Sequence, residues 1–287
     1  MLPSLANWIG QKFRVGGEVN AMPRARRKTA KPSKHRIARF EICEERGMLS
    51  SIGIVDVPVM TNPLVANFAQ VAPAVMTQAT GTKFVTTIYV DLLSRQPDNT
   101  GLTIYTNMLM NGTPPATVVN SIWQSAEHRG IEVNGYYQTF LHRAADTAGQ
   151  QIWVNAMLNG MSEASVMAAF LNSGEYLHNN MVPTNFVRGL YRDLLGRTAD
   201  VQGLTVWVNA LNAQTVTPLQ AAQAFINSHE RHVKLVDSNY TKFLGRSADA
   251  AGELALSNAL DSGALNEQTL AVAFLTSTEF LNSHPLF

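Results

Sequence analysis

The sequence predicts an all-α protein of four tandem three-helix units, packed as two pairs and preceded by a disordered basic leader. The first observation behind that reading is a repeat: Asp98, Asp146, Asp200 and Asp249 are spaced by 48, 54 and 49 residues. Each has an arginine three residues before it, a glycine three after, a tyrosine nine before and an asparagine nine after, and a fixed period of this size marks a repeat architecture. The second is that apolar residues flanking these loops recur at helical spacing. The third is bulk composition: 46% apolar content in 287 residues supports a sizeable core, in one large or two ordinary domains.

The leader comes first. Residues 1–50 hold 11 Lys/Arg against 4 Asp/Glu, whereas the remainder holds 11 against 17. The folded part is therefore mildly acidic, which argues against nucleic acid as its partner, because phosphate binding needs clustered Lys/Arg. The basic run at 24–39 has no apolar stretch directly behind it, unlike a standard secretory signal. Residues 54–81 mix Val, Pro, Asn and Thr without a helical period and read as a spacer. The expected domains are thus a leader and spacer at 1–81, a first pair of units at 82–181 and a second at 182–287. No stretch approaches the roughly 20 apolar residues that a membrane helix needs.

The third unit shows how each is built. Phe186 to Leu195 is an amphipathic first helix, and Gly196 allows the left-handed turn that stops it. Asp200 caps the second helix by accepting from free amides of its first turn, where its charge also suits the helix dipole. Gly203 in that turn implies a close backbone approach to a neighbouring helix. Trp207 is the second helix's largest apolar side chain. Thr217–Pro218 opens a third helix as cap and favoured first residue, and Thr113–Pro114, Ser162 and Asn266 hold the same place elsewhere. The third helix ends on an anchor and a Ser-x-Glu step, Phe225/Ser228/Glu230 and Phe274/Ser277/Glu279, whose serine can cap the next helix. Tyr105, Trp153, Trp207, Phe170, Phe225 and Phe274 are the expected core aromatics.

The pattern Tyr-x-x-Leu-Leu-Gly-Arg-x-Ala-Asp-x-x-Gly-x-x-x-Trp-x-Asn-x-Leu, followed by Phe-x-x-Ser-x-Glu-Phe, resembles a bacterial repeat of unknown function numbered four-two-one-four, itself similar to the helical linker domain of phycobilisomes. The resemblance covers residues 84–282. Ser94, Pro97 and Tyr105 in the first unit, His142 in the second and Leu256 in the fourth depart from the pattern. What the resemblance implies is a non-catalytic interaction or structural unit of exported or surface-associated proteins; no phycobiliprotein partner is expected. Residues 36–50, RIARFEICEERGMLS, resemble the export leader of certain bacterial surface proteins through Glu41, Glu44, Arg46, Leu49 and Ser50. Such leaders open on the basic run, which makes Met22 an alternative start to Met1.

Chemistry has few candidates. Cys43 is the only cysteine, which excludes an intramolecular disulfide, a cysteine zinc cluster and an iron–sulfur site. The loop motif, Arg95/Asp98/Gly101, Arg143/Asp146/Gly149, Arg197/Asp200/Gly203 and Arg246/Asp249/Gly252, could form a repeated anion or glycan site. Alternatively each arginine satisfies carbonyls at the end of its first helix and pairs with its own aspartate, and that reading explains the spacing. One carboxylate per loop is far from the six to eight oxygens that calcium requires. Asn107, Asn155, Asn209 and Asn258 read as buried amides, and His229/His232 as a metal pair lacking a third ligand. No nucleophile elbow, P-loop or dinucleotide fingerprint is present.

The expectation is a non-catalytic, exported or cell-surface module with no cofactor, whose partner is a protein, an envelope component or the chain itself. A hydrolase with a cleft between pairs, or a glycan-binding module using exposed Tyr or Trp, is the alternative.

Overall fold

Burial of short apolar helices against one another organises the chain. The computed structural model describes residues 76–283, in which every regular element is a helix; the leader and most of the spacer lie outside the described residues. The first unit is α1 (Gln78–Leu93), α2 (Asn99–Met110) and α3 (Pro115–Trp123). The second is α4 (Ala126–Leu141), α5 (Thr147–Leu158) and α6 (Glu163–Leu171). A short α7 (Gly174–Asn179) leads to the third, α8 (Pro183–Leu195), α9 (Val201–Asn212) and α10 (Pro218–Ile226). The fourth is α11 (His229–Leu244), α12 (Ala250–Asp261) and α13 (Glu267–Leu275), and α14 (Thr278–Ser283) follows. Helix thus begins at Gln78, inside the stretch read as spacer.

Punctuation follows local rules. Gly196 and Gly245 end their helices at φ 60° and 65°, and where the sequence departs from glycine, Ser94 and His142 hold the same left-handed conformation at φ 55° and 53°. Thr217 forms a capping box with Gln220, and Ser162 and Asn266 cap α6 and α13. The first unit differs from expectation by one residue. Pro115 forces its predecessor out of helical geometry, so α3 starts at Pro115, after Pro114 at ψ 137°, and has no side-chain cap.

The units form two cores, but not between the expected neighbours. Residues of the first and fourth units share one: Phe84, Ile88, Leu109, Val118 and Ile122 pack with Val236, Leu256, Leu270 and Phe274. The second and third units share the other, from Val133, Trp153 and Phe170 to Phe186, Leu190 and Phe225. The third helices face each other in both, α3 with α13 and α6 with α10. Pairing of sequence neighbours within 82–181 and 182–287 is therefore replaced by one in which the first unit meets the fourth and the second meets the third. Where the unbroken α4 and α11 join two units, the third helices of those units do not pack together; they do across the break between α7 and α8.

The 54-residue interval also has a cause. From the capping Thr77, Ser125 and Ser228 to the next aspartate there are 21 residues, but 27 from Ser173 to Asp200. The six extra residues break the first helix of the third unit into α7 and a 13-residue α8, where the other units have 16. The α8–α9 hairpin is the least extensive of the four, and α9 has no fully buried residue. Hence Trp153 is buried, at 3% exposure, while Trp207 is only half-buried. Tyr105 is likewise half-buried; Phe170, Phe225 and Phe274 are core residues as expected.

A left-handed backbone strains any residue with a Cβ, and Ser94 is exposed. Ser94→Gly is expected to stabilise the fold by about 0.5–1 kcal/mol, seen as a higher melting temperature. A lower one would mean that the serine side chain supplies a contact worth more than that strain.

Candidate functional site: an arginine joint repeated four times

The loop motif assembles the same way in every unit. Each aspartate accepts a hydrogen bond from the amide of the glycine three residues on: Asp98 from Gly101 at 2.9 Å, Asp146 from Gly149 at 2.8 Å, Asp200 from Gly203 at 2.7 Å and Asp249 from Gly252 at 2.9 Å. These are the expected N-caps. The four acids stay on separate helices.

The glycine is required by a side chain rather than by neighbouring backbone. A Cβ at Gly101, Gly149, Gly203 or Gly252 would stand 2.2 Å from the hydroxyl of Tyr89, Tyr137, Tyr191 or Tyr240 respectively. These tyrosines are buried and lie beneath the motif arginines, with guanidinium-to-ring distances of 4.7–5.1 Å, a cation–π arrangement.

The arginine's principal partner is a glutamate that the sequence reading left unassigned. Arg95, Arg143, Arg197 and Arg246 bind Glu127, Glu175, Glu230 and Glu279 through two parallel bonds, Nε to Oε1 at 2.5–2.6 Å and Nη2 to Oε2 at 2.7–2.8 Å. Nη1 donates to the carbonyl of the following loop residue, not to the end of the first helix. The loop aspartate stands further from the same nitrogen, at 3.4–3.7 Å. Each glutamate lies in the first turn of the next helix behind a capping serine, where its charge also suits the dipole. The motif is thus a joint between one unit and the helix that follows. An incoming anion would have to displace an acid already bound in bidentate fashion, which removes the anion and glycan reading of these loops. A constant arginine-to-glutamate separation of 32 or 33 residues was the signal available in the sequence.

The electrostatics agree. The bidentate arginine holds Glu127, Glu175, Glu230 and Glu279 below the usual glutamate range. The capped glycine amide, and secondarily the arginine, do the same for Asp98, Asp146, Asp200 and Asp249.

Other candidates resolve differently. Asn107, Asn155, Asn209 and Asn258 are exposed, not buried; their position falls on the outer face of the second helix. His229 and His232 do share a helix face, but their Nδ1 atoms lie 2.6 and 2.5 Å from the two oxygens of Asp261, which leaves no room for an ion between them. Among the described residues no group of three His, Cys, Asp or Glu is placed to hold a metal.

A buried polar node escaped the sequence reading. Arg129 Nη1 donates to Glu132 at 2.7 Å and to Glu163 at 2.6 Å, Trp123 Nε1 donates to Glu163 at 3.4 Å, and the His128 ring lies tilted against Trp123 with centroids 4.4 Å apart. Arg129 Nε and His128 Nδ1 are buried without a hydrogen-bond partner. Glu132 and Glu163 converge, but on a guanidinium that both already bind.

Two outcomes test the joint. Gly203→Ala is expected to destabilise by about 1–3 kcal/mol through overpacking, and adding Tyr191→Phe should recover part of the loss; no recovery would mean that the hydroxyl is not the obstacle. Carboxylates with lowered pKa stabilise only while ionised, so the contribution is complete above their ordinary values of 3.8 and 4.5 and is lost as pH falls below them. Melting temperature should fall below about pH 4.5, and less steeply in Glu230→Gln; equal slopes would contradict the assignment.

Against known families, the profile described as a domain of unknown function (DUF4214) matches residues 68–131, 133–180, 176–235 and 231–284. Neither the curated proteins nor the solved structures compared with the chain give a match. With four tandem matches spread across more than half of its length, the chain belongs to the DUF4214 family.

Proposed function

We propose that the chain is a non-catalytic interaction or structural module that acts outside the cytoplasm, at the cell surface or in the medium, with a protein or envelope component as partner. The observation that carries this reading is the use made of the motif residues. Every motif arginine, aspartate and glycine is committed to a joint or a cap, so the most strongly patterned positions in the chain build a scaffold. Charge distribution supports a neutral partner over nucleic acid: residues 99–126 and 201–228, which include α2–α3 and α9–α10, contain no Asp, Glu, Lys, Arg or His. No helix among the described residues is long and apolar enough to cross a membrane. The resemblance of residues 36–50 to bacterial export leaders supports the location.

A glycan-binding role draws on one observation, the half-buried state of Trp207 and Tyr105; the buried Trp153 counts against it. The hydrolase reading has no comparable support, since Glu132 and Glu163 are tied to Arg129.

Fractionation of native cells tests the proposal. The mature protein should be found in the envelope or the medium, and affinity capture from envelope should retain a partner whose binding survives Glu132→Gln. Exclusive recovery from the cytoplasm would overturn the location, and hydrolysis of envelope polymers abolished by Glu132→Gln would overturn the non-catalytic reading.

A further inference from the structure

The chain divides into two halves, neither of which has a core of its own. Units one and two are joined by the unbroken α4 and by the Arg95–Glu127 joint. Units three and four are joined by α11 and the Arg197–Glu230 joint. Each core then takes one unit from each half. Contacts across the halves include Gln268 Nε2 donating to Asn120 Oδ1 at 2.8 Å and Arg231 Nη2 against Met167 Sδ at 3.3 Å.

Along the chain, the halves are connected covalently through the break between α7 and α8. Its residues Asn180, Met181 and Val182 belong to neither core, and Met181 is 75% exposed. Pro183 lacks an amide hydrogen and holds Val182 extended, at ψ 145°, so α7 and α8 cannot fuse into one helix. Tyr176 spans the break, donating to Asp193 at 3.0 Å from a position inside the core shared with unit three.

We propose that the chain associates with a second copy by exchanging halves about residues 180–182, units one and two of one copy closing both cores with units three and four of the other. The interaction surfaces are the third helices, α3 and α6 of one copy against α13 and α10 of its partner. The core contacts between halves and the Tyr176–Asp193 bond re-form between copies, while all four joints stay within a half, so the two forms differ only at the hinge and in the entropy of association. Both cores must open for exchange, which ties interconversion to unfolding. The inference is independent of where the chain resides: recovery from the cytoplasm would sink the reading above and leave this one standing.

The test uses the full chain with a specific protease site inserted between Met181 and Val182. Two populations, one tagged at the amino end and the other at the carboxyl end, are unfolded together and refolded at high concentration, and the species of two-chain mass is isolated. Cutting is expected to halve its mass and to yield particles carrying both tags, because their halves come from different copies. Absence of a two-chain species at any concentration would overturn the proposal. So would a cut dimer whose tags part onto separate particles, or cut halves that separate and remain helical alone.

Discussion

Each unit ends in a nine-residue helix that packs on its own unit with one side and on the third helix of a second unit with another. In α3, α6, α10 and α13 the buried residues are Val118, Ile122, Phe170, Leu171, Ala221, Phe225, Leu270 and Phe274 among others. Complete burial of a single Leu, Ile or Phe is worth about 1.5–3 kcal/mol, and helices this short have little stability alone. Pairing of third helices therefore decides the architecture. Units joined by the unbroken α4 and α11 do not pair their third helices, and the first unit meets the last instead.

The arginine joints operate at a lower energy and do something different. Their guanidinium and carboxylate groups are roughly 40% exposed, and exposed ion pairs contribute about 0–1 kcal/mol each. They cannot hold the molecule together against loss of a core. Two parallel bonds over a tyrosine ring do fix orientation, however, and the joint sets the angle at which each new helix leaves its predecessor. The aspartate and the glycine complete it from the other side, one capping the second helix and the other making room for the tyrosine hydroxyl. In the first, second and fourth units the arginine follows a full 16-residue first helix; in the third, the inserted break shortens that helix and leaves α9 poorly covered.

What could be read from the sequence was mostly local. Asp200 as a cap, Gly196 as a stop and Thr217–Pro218 as a start depend on residues within one turn, and local rules suffice for them. Glu230 as the partner of Arg197 depends on a fold that returns after 33 residues, and only the constancy of that spacing in four units pointed to it. The pairing of α3 with α13 left no local trace, because each surface is equally apolar towards any third helix. Trp153 and Trp207 occupy the same motif position, yet the six residues inserted upstream of Trp207 leave it half-buried. The outward asparagines show the limit of pattern alone: recurrence marks a position as constrained without saying which way it faces.

Hydrogen exchange on a Leu270→Ala variant is the most direct measurement of the shared core. Leu270 is fully buried in α13 of the fourth unit, and its truncation should cost about 2–5 kcal/mol. A core formed by the first and last units predicts that amides of α1 and α3 lose protection together with those of α11 and α13, while α6 and α10 lose less. Loss of protection confined to the third and fourth units, with α1 and α3 unchanged, would contradict it.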